Sequence, residues 1–431
     1  MNRKRLNSVS ANNTFRAFRS LNYSLYFIGR SVSQFGTWMQ RTAVVWVVYT
    51  MTHSAFYIGL TLFAEQFPSF LLSVFGGITA DRHNRFRIIN ITQITSMIQA
   101  SLLAVLMITG HYYLWQILAL SIILGVINAF DIPARQAMIH DVLHHPSDLQ
   151  NAISLNSAMA SMARLFGPAV SGIVLEKFGA GICFLLNAAS FGAVMISLAF
   201  MKWPAFSPPA TRKKVMTELV EGFHYVRQTP SVGLVILMLA FMSVLVIPYD
   251  TLLPVYAKEI FKGSADTYGY ITSFAGLGAV IGTIFLASSR RGSNLKRLLI
   301  ISAVILAIGL ICFAYTRNFP LAMLFATMAG FGTVGQGTIS NIIVQSESSP
   351  AMRGRAIGIM LMAMFGMLPL GSLIVGAVSH KIGAPATILC QGIVGLIIAF
   401  SFWSYLRKKK LKNKIQSPPL KEAEEMVMEK I

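Results

Sequence analysis

Charge is what this chain lacks. Asp, Glu, Lys and Arg make up 12% of its 431 residues, about half the share usual in soluble domains. With 55% of residues hydrophobic, too little polar surface is left to clothe a water-soluble fold. Cysteine is nearly as scarce. The three present, Cys183, Cys312 and Cys390, all lie in apolar stretches, so no disulfide framework is expected. No Gly-Lys dipeptide occurs, which excludes a Walker A loop, and no His-Glu pair begins a zinc-protease motif. No nucleophile is paired with a base. The chain is therefore expected to be no enzyme, with no catalytic residues, no cofactor and no ATP hydrolysis of its own.

Apolar stretches are abundant. They recur at about 18 to 28 residues each, long enough to cross roughly 30 Å of hydrocarbon as helices. Twelve are legible between residues 24 and 406. The expected fold class is an all-α membrane protein of twelve transmembrane helices arranged as two six-helix bundles. The expected division is a basic tail over 1–21, a first bundle over 22–201, a linker over 202–230, a second bundle over 231–406 and a charged tail over 407–431. The apolar run after the first tail is too long for a signal-peptide core, so the first helix is expected to stay in place.

The formal charge of +20 would suggest a nucleic-acid partner in a soluble protein, but its distribution argues otherwise. If the amino terminus is cytoplasmic, 28 of the 36 Lys and Arg residues fall in the tails and in the loops on that side. Such bias in short loops is the positive-inside rule. It predicts both termini in the cytoplasm, a cell-membrane location, a lipid bilayer as surroundings and no nucleic acid. The linker carries Pro204, Pro208, Pro209 and the basic run Arg212, Lys213, Lys214. Val215, Leu219, Phe223 and Val226 then recur at helical spacing, which predicts a short helix on the cytoplasmic membrane surface.

The two halves echo each other. At an offset of 204, Gly167, Gly172, Lys177 and Gly179 match Gly371, Gly376, Lys381 and Gly383. At 211, Tyr57, Thr61, Phe63 and Ala64 match Tyr268, Thr272, Phe274 and Ala275. A six-plus-six duplication of this kind builds a site between halves that rock against each other.

Gly76-Gly77-Ile78-Thr79-Ala80-Asp81-Arg82-His83-Asn84-Arg85-Phe86-Arg87 joins the second and third spans. Glycines let two helices approach closely, and a carboxylate followed by arginines at a membrane surface makes charge-assisted bonds that break when the halves separate. Here the chain resembles the major facilitator superfamily, whose signature runs Gly77, three residues, Asp81-Arg82, one residue, then Gly, where this chain has Asn84. Asn is the next-best residue for a left-handed turn. The resemblance implies that Asp81 faces the amino-terminal end of the eleventh span near Arg355, and that Arg82 or Arg85 pairs with an acid at the end of the fourth, for which Asp131 is the candidate. It extends to a subgroup containing enterobactin exporters and macrolide efflux proteins, through Gly36-Thr37-Trp38-Met39-Gln40-Arg41, Pro133-Ala134-Arg135-Gln136 and Leu253-Pro254-Val255-Tyr256-Ala257. Gly167-Pro168-Ala169-Val170-Ser171-Gly172 is similar to the fifth-helix antiporter signature, with Ser171 at a usual Gly.

Arg30, Arg41, Glu65, Arg164 and Asp250 fall inside predicted spans. Each would cost roughly 2.5 to 3.5 kcal/mol facing lipid, so they are expected to face one another or a watery cavity. Arg30, Gln34, Thr37 and Arg41 share one face of the first helix at 100° per residue. A buried carboxylate can exchange a proton, whereas arginine stays charged. Glu65 or Asp250 is therefore the expected carrier of coupled protons, and Arg30, Arg41 and Arg164 are expected to orient the carboxylates or bind an anionic group. His140, His144 and His145 lack a Cys or carboxylate set, so no metal is expected.

The function expected is a proton-coupled, monomeric exporter of a small molecule such as a siderophore, a macrolide or another drug-like compound. The export direction is what the resemblance implies. The residues leave open an importer or facilitator, and a non-transporting receptor or enzyme on the same fold.

Overall fold

A computed structural model describes residues 15–143, 145–201, 215–288, 294–350 and 352–416. Among these the regular structure is entirely helical. Ten helices are long and apolar enough to cross a membrane. One of them, Leu149–Ala199, runs 51 residues and is broken at Gly179, whose φ of 80° and ψ of 170° leave helical space. The first helix, Leu21–Thr52, is not among the ten, because Arg30, Gln34, Gln40 and Arg41 dilute its apolarity.

We number the long helices α1 (Leu21–Thr52), α2 (Ala55–Arg82), α3 (Arg85–Thr109), α4 (Leu114–Asp141), α5 (149–178), α6 (180–199), α7 (Pro230–Ile260), α8 (Ala265–Ala287), α9 (Leu295–Ala314), α10 (Phe319–Glu347), α11 (Arg353–Ile382) and α12 (Ala384–Gln416). A linker helix, Val215–Gln228, precedes α7. Local sequence sets many of the ends. Ser20, Asn84, Asn294 and Asn318 each accept a bond from a first-turn amide, the usual role of such N-caps. Gly110, with φ of 73°, closes α3.

A stripe of apolar side chains on α3, Ile91, Ile94, Ile98, Leu102, Val105 and Ile108, stands outward and exposed. Their spacing keeps one face of the helix apolar. So long an exposed apolar stripe suits hydrocarbon, not water.

The repeat is visible in the geometry. Gly179 separates α5 from α6, and Gly383, 204 residues on, separates α11 from α12 with φ of 83° and ψ of 158°. Most helices pack against neighbours of their own half, while α2 packs on α11 and α5 on α8 across the halves. These two joints are built alike. The Cα of Gly172 approaches Ala265 and Asp266, and that of Gly376 approaches Ala55 and Phe56. A methyl on either glycine would lie 2.6 Å from a backbone carbonyl. Gly269 against Pro168 and Gly59 against Ser372 repeat the match. The contacts put α2 and α8 in register at an offset of 210, one residue from the 211 read from side-chain identity, because the backbone contacts fix the depth of each helix directly.

Of four buried clusters among the described residues, a small one of Ala100, Ala188 and Phe191 lies within the first half, and three organise the packing. One spans both halves, bringing Val45, Tyr49 and Ile58 together with Tyr256, Ile271 and Val375. The other two lie toward the opposite side of the molecule, which carries the basic loops. Tyr23, Ile89, Met138 and Leu198 form one within the first half, and Val232, Val344, Ile359 and Met360 form the other within the second. The halves are thus fused at one face and separately cored at the basic face.

Candidate functional site

Of the charges expected inside the membrane, Arg30, Arg41 and Glu65 line one cavity, whereas Arg164 and Asp250 do not. A cavity of about 210 Å³ is lined by Arg30, Gln34, Arg41, Glu65 and Asp131, with contributions from α1, α2, α3, α4 and α6. The stripe on α1 forms one wall. Glu65 reaches it from α2, held close to α4 because Gly125 lies against the Glu65 carbonyl, where a methyl would approach to 2.2 Å. Arg41 spans the two halves. Its guanidinium lies 3.9 Å from the Asp250 carboxylate and 5.6 Å from the centre of the Trp38 ring. Asp250 itself sits where α7 loses regular helix, in the 3-10 stretch Ile247–Leu252 between Pro248 and Pro254. Arg164, on α5, lies in the electrostatic field of Tyr249, Asp250 and Arg41 but does not line the cavity.

Asp131 behaves differently from expectation. It is buried and bonded to Arg135 one turn on, while accepting from Thr92 Oγ1 at 2.7 Å and Gln93 Nε2 at 3.1 Å. It therefore does not hold the loop arginines. Arg85 instead bonds both carboxylate oxygens of Asp141 at 2.7 and 2.8 Å. The reason is helix length: α4 continues to Asp141, and ten residues are about 15 Å of helix. Asp131 and Arg135 are thereby drawn into the span, so Arg135 is a buried charge and not part of a basic loop.

Two other details of the loop are revised. Asn84 has φ of −62° and caps α3 by accepting from Phe86 N at 2.9 Å, so it serves as a cap and makes no left-handed turn. The glycine that brings α2 onto α4 is Gly76, packed on the Ala129 carbonyl, whereas the space beside Gly77 is open. Asp81 and Arg82 occupy the last turn of α2. Arg355, at the start of α11, bonds Glu221 of the linker helix at 2.7 Å. His144 and the His140 side chain lie outside the described residues. No metal-holding group of His, Cys, Asp or Glu occurs among the described ones.

A chain of amides that the sequence reading passed over extends the cavity wall. Asn187 donates to Gln40 at 2.9 Å, Gln40 to Gln99 at 3.1 Å and Gln99 to the Leu120 carbonyl at 3.1 Å. The Oε1 of buried Gln93 has no bond among the described residues. The signal available was amide side chains recurring in apolar spans, which need partners once buried. A polar-walled, charge-lined chamber of this kind can hold water, ions or the polar part of a solute.

Residues 12–430 match the family model described as transmembrane secretion effector. The chain belongs to this major facilitator family. The staphyloferrin A transporter of Staphylococcus aureus (strain NCTC 8325 / PS 47) is 28% identical over 399 residues, covering 90% of this chain and 97% of that protein. The multidrug efflux pump Tap of Mycolicibacterium fortuitum is 20% identical, covering 83% of this chain and 88% of that one. The enterobactin exporter EntS of Shigella boydii serotype 18 is 23% identical, with 82% of each chain covered. Among solved structures, the nucleoside transporter NupG superposes with a TM-score of 0.71 at 16% identity, over 89% of this chain and 98% of that one. A bacterial homologue of the lysosomal transporter Spinster, inward-facing and unoccupied, gives 0.66 at 17%, over 92% and 99%. These superpositions speak to the fold.

Proposed function

We propose that this secretion effector is a proton-coupled exporter of a siderophore, a macrolide or a comparable small molecule, working by alternating access through twelve spans in two six-helix bundles, 22–201 and 231–406. The linker over 202–230 and the tails over 1–21 and 407–431 lie in the cytoplasm, a placement that the basic bias supports. The observation that carries this reading is the unequal joining of the halves. One core crosses between them at one face and two separate cores stand at the basic face, the arrangement of a transporter open to the cytoplasm. The Arg41–Asp250 contact lies between the halves and is remade or broken whenever they rock.

Glu65 and Asp250 exchange the coupled protons, and Arg30, Arg41 and Arg164 remain charged to orient them or to hold an anionic group of the solute. Gln34 contributes a neutral contact. On closure of the basic face, Gly77 meets the second half across its open side, while Asp81, Arg82 and Arg85 lock the loop. Asp131 supports the chamber wall through Arg135. The relatives named for siderophore and drug transport support the choice of solute, and a single copy contains both halves, which supports a monomer.

Everted vesicles carrying the chain test this directly. Accumulation of a siderophore or macrolide that collapses with the proton gradient is expected, with Glu65→Gln or Asp250→Asn abolishing the gradient dependence. Gradient-driven loss of solute from the vesicles would make the chain an importer. Unchanged proton-driven transport in both variants would remove the coupling assignment.

A further inference from the structure

On the basic side the linker helix has two working faces. At 100° per residue, Glu221, Gly222 and Tyr225 fall together and face the second half. Glu221 bonds Arg355, Tyr225 Oη accepts from Ser349 N at 2.9 Å, and Gly222 lies against Arg355 and Ile359. The other side of the helix carries Val220, Phe223, His224 and Arg227, all exposed. It forms one wall of an open groove of about 740 Å³, whose other walls are the first turns of α7, including Leu234 and Leu237, and Tyr405 on α12.

We propose that this groove is a binding site for an anionic phospholipid of the cytoplasmic leaflet, with an acyl chain along Val220, Phe223 and Leu237 and its phosphate at Arg227 and His224. Three observations select this occupant. The groove lies at the ends of two apolar spans, Pro230–Ile260 beginning beside it and Ala384–Lys408 ending just past Tyr405. Lipid is the solvent there. Its apolar wall and basic rim match an amphiphile of opposite sign. Neither Arg227 nor His224 has a carboxylate partner among the described residues, His224 being bonded to Gln228 at 2.7 Å. Basic residues also continue along α12, with Arg407 over the Trp403 ring at 5.5 Å and Lys408 following. Basic pockets between helices on the cytoplasmic side are suited to anionic headgroups. A lipid seated here would bear on the same helix that Glu221 and Tyr225 fasten to the α10–α11 connection.

The test is native mass spectrometry of the purified full chain in detergent, titrated with phosphatidylglycerol, phosphatidylcholine or glycerol 3-phosphate. Phosphatidylglycerol is expected to be retained at several-fold lower concentration than phosphatidylcholine, and glycerol 3-phosphate to be lost. Arg227→Gln should weaken retention about fivefold, the equivalent of about 1 kcal/mol for one basic residue at a membrane surface. Phe223→Ser should weaken both lipids. Because both side chains are exposed, lipid-free melting should be unchanged, which separates loss of binding from loss of fold. Equal retention of the two lipids, an unaltered Arg227→Gln variant, binding of glycerol 3-phosphate as tight as the lipid, or a dimer that Phe223→Ser dissociates would each overturn the proposal.

Discussion

The fused face and the basic face of this molecule are built from the same helices but packed by opposite rules. At the fused face, glycines seat one backbone on another, Trp46 stacks on Tyr268 with ring centres 6.1 Å apart, and Tyr49 donates to Glu259 at 3.1 Å across the halves. At the basic face each half keeps its own core, Arg85 bonds Asp141 within the first half, and Arg355 bonds Glu221 of the linker helix. Backbone-to-backbone contact is permissive of only one spacing, whereas side-chain ion pairs at a wet surface can be exchanged at little cost. Under the proposed alternating access, movement is accommodated at the basic face.

The largest effect is expected from the interior of the first half. Asp131→Ala leaves Arg135 buried without its counter-charge and should lower unfolding stability by about 3 to 5 kcal/mol. Thermal melting in detergent reads this, and Arg135→Met added to Asp131→Ala should recover much of it. Next come the two equivalent joints. Gly172→Val and Gly376→Val should each cost about 1 to 3 kcal/mol by overpacking. A large cost in one joint and none in the other would break the equivalence of the halves.

Gly77→Val sharpens the comparison from the other side. Nothing lies beside Gly77, so melting should move by no more than about 0.5 kcal/mol, while vesicle transport falls because the closed basic face requires that space. Transport and stability falling together would contradict the assignment. The smallest effect belongs to the partly exposed pair Arg85 and Asp141, for which a double-mutant cycle should return about 0.2 to 1 kcal/mol.

How much of this was readable depended on how local each requirement is. Gly179 and Gly383 could be paired from sequence because a helix break with positive φ is a property of one residue. The clustering of Arg30, Gln34, Arg41 and Glu65 followed from helical phase and from the cost of a charge in lipid. Depth along a helix was harder. Hydropathy fades gradually at a span's end, so α4 was expected to stop at Asp131, although the Asp131 to Arg135 spacing of one turn already allowed a buried pair. The choice between Gly76 and Gly77, and the amide chain through Gln40, Gln99 and Asn187, depend on which helices meet, which no single span records.

The central claim is that the basic face closes while the other face opens. It is tested most directly by electron-electron distance measurement between spin labels at Phe75 on α2 and Leu361 on α11, both exposed at the basic end, after the native cysteines are replaced. In lipid vesicles a long distance is expected without solute, and a second, shorter population should grow when a proton gradient and a transported compound are present. A single distance that neither condition changes would contradict alternating access.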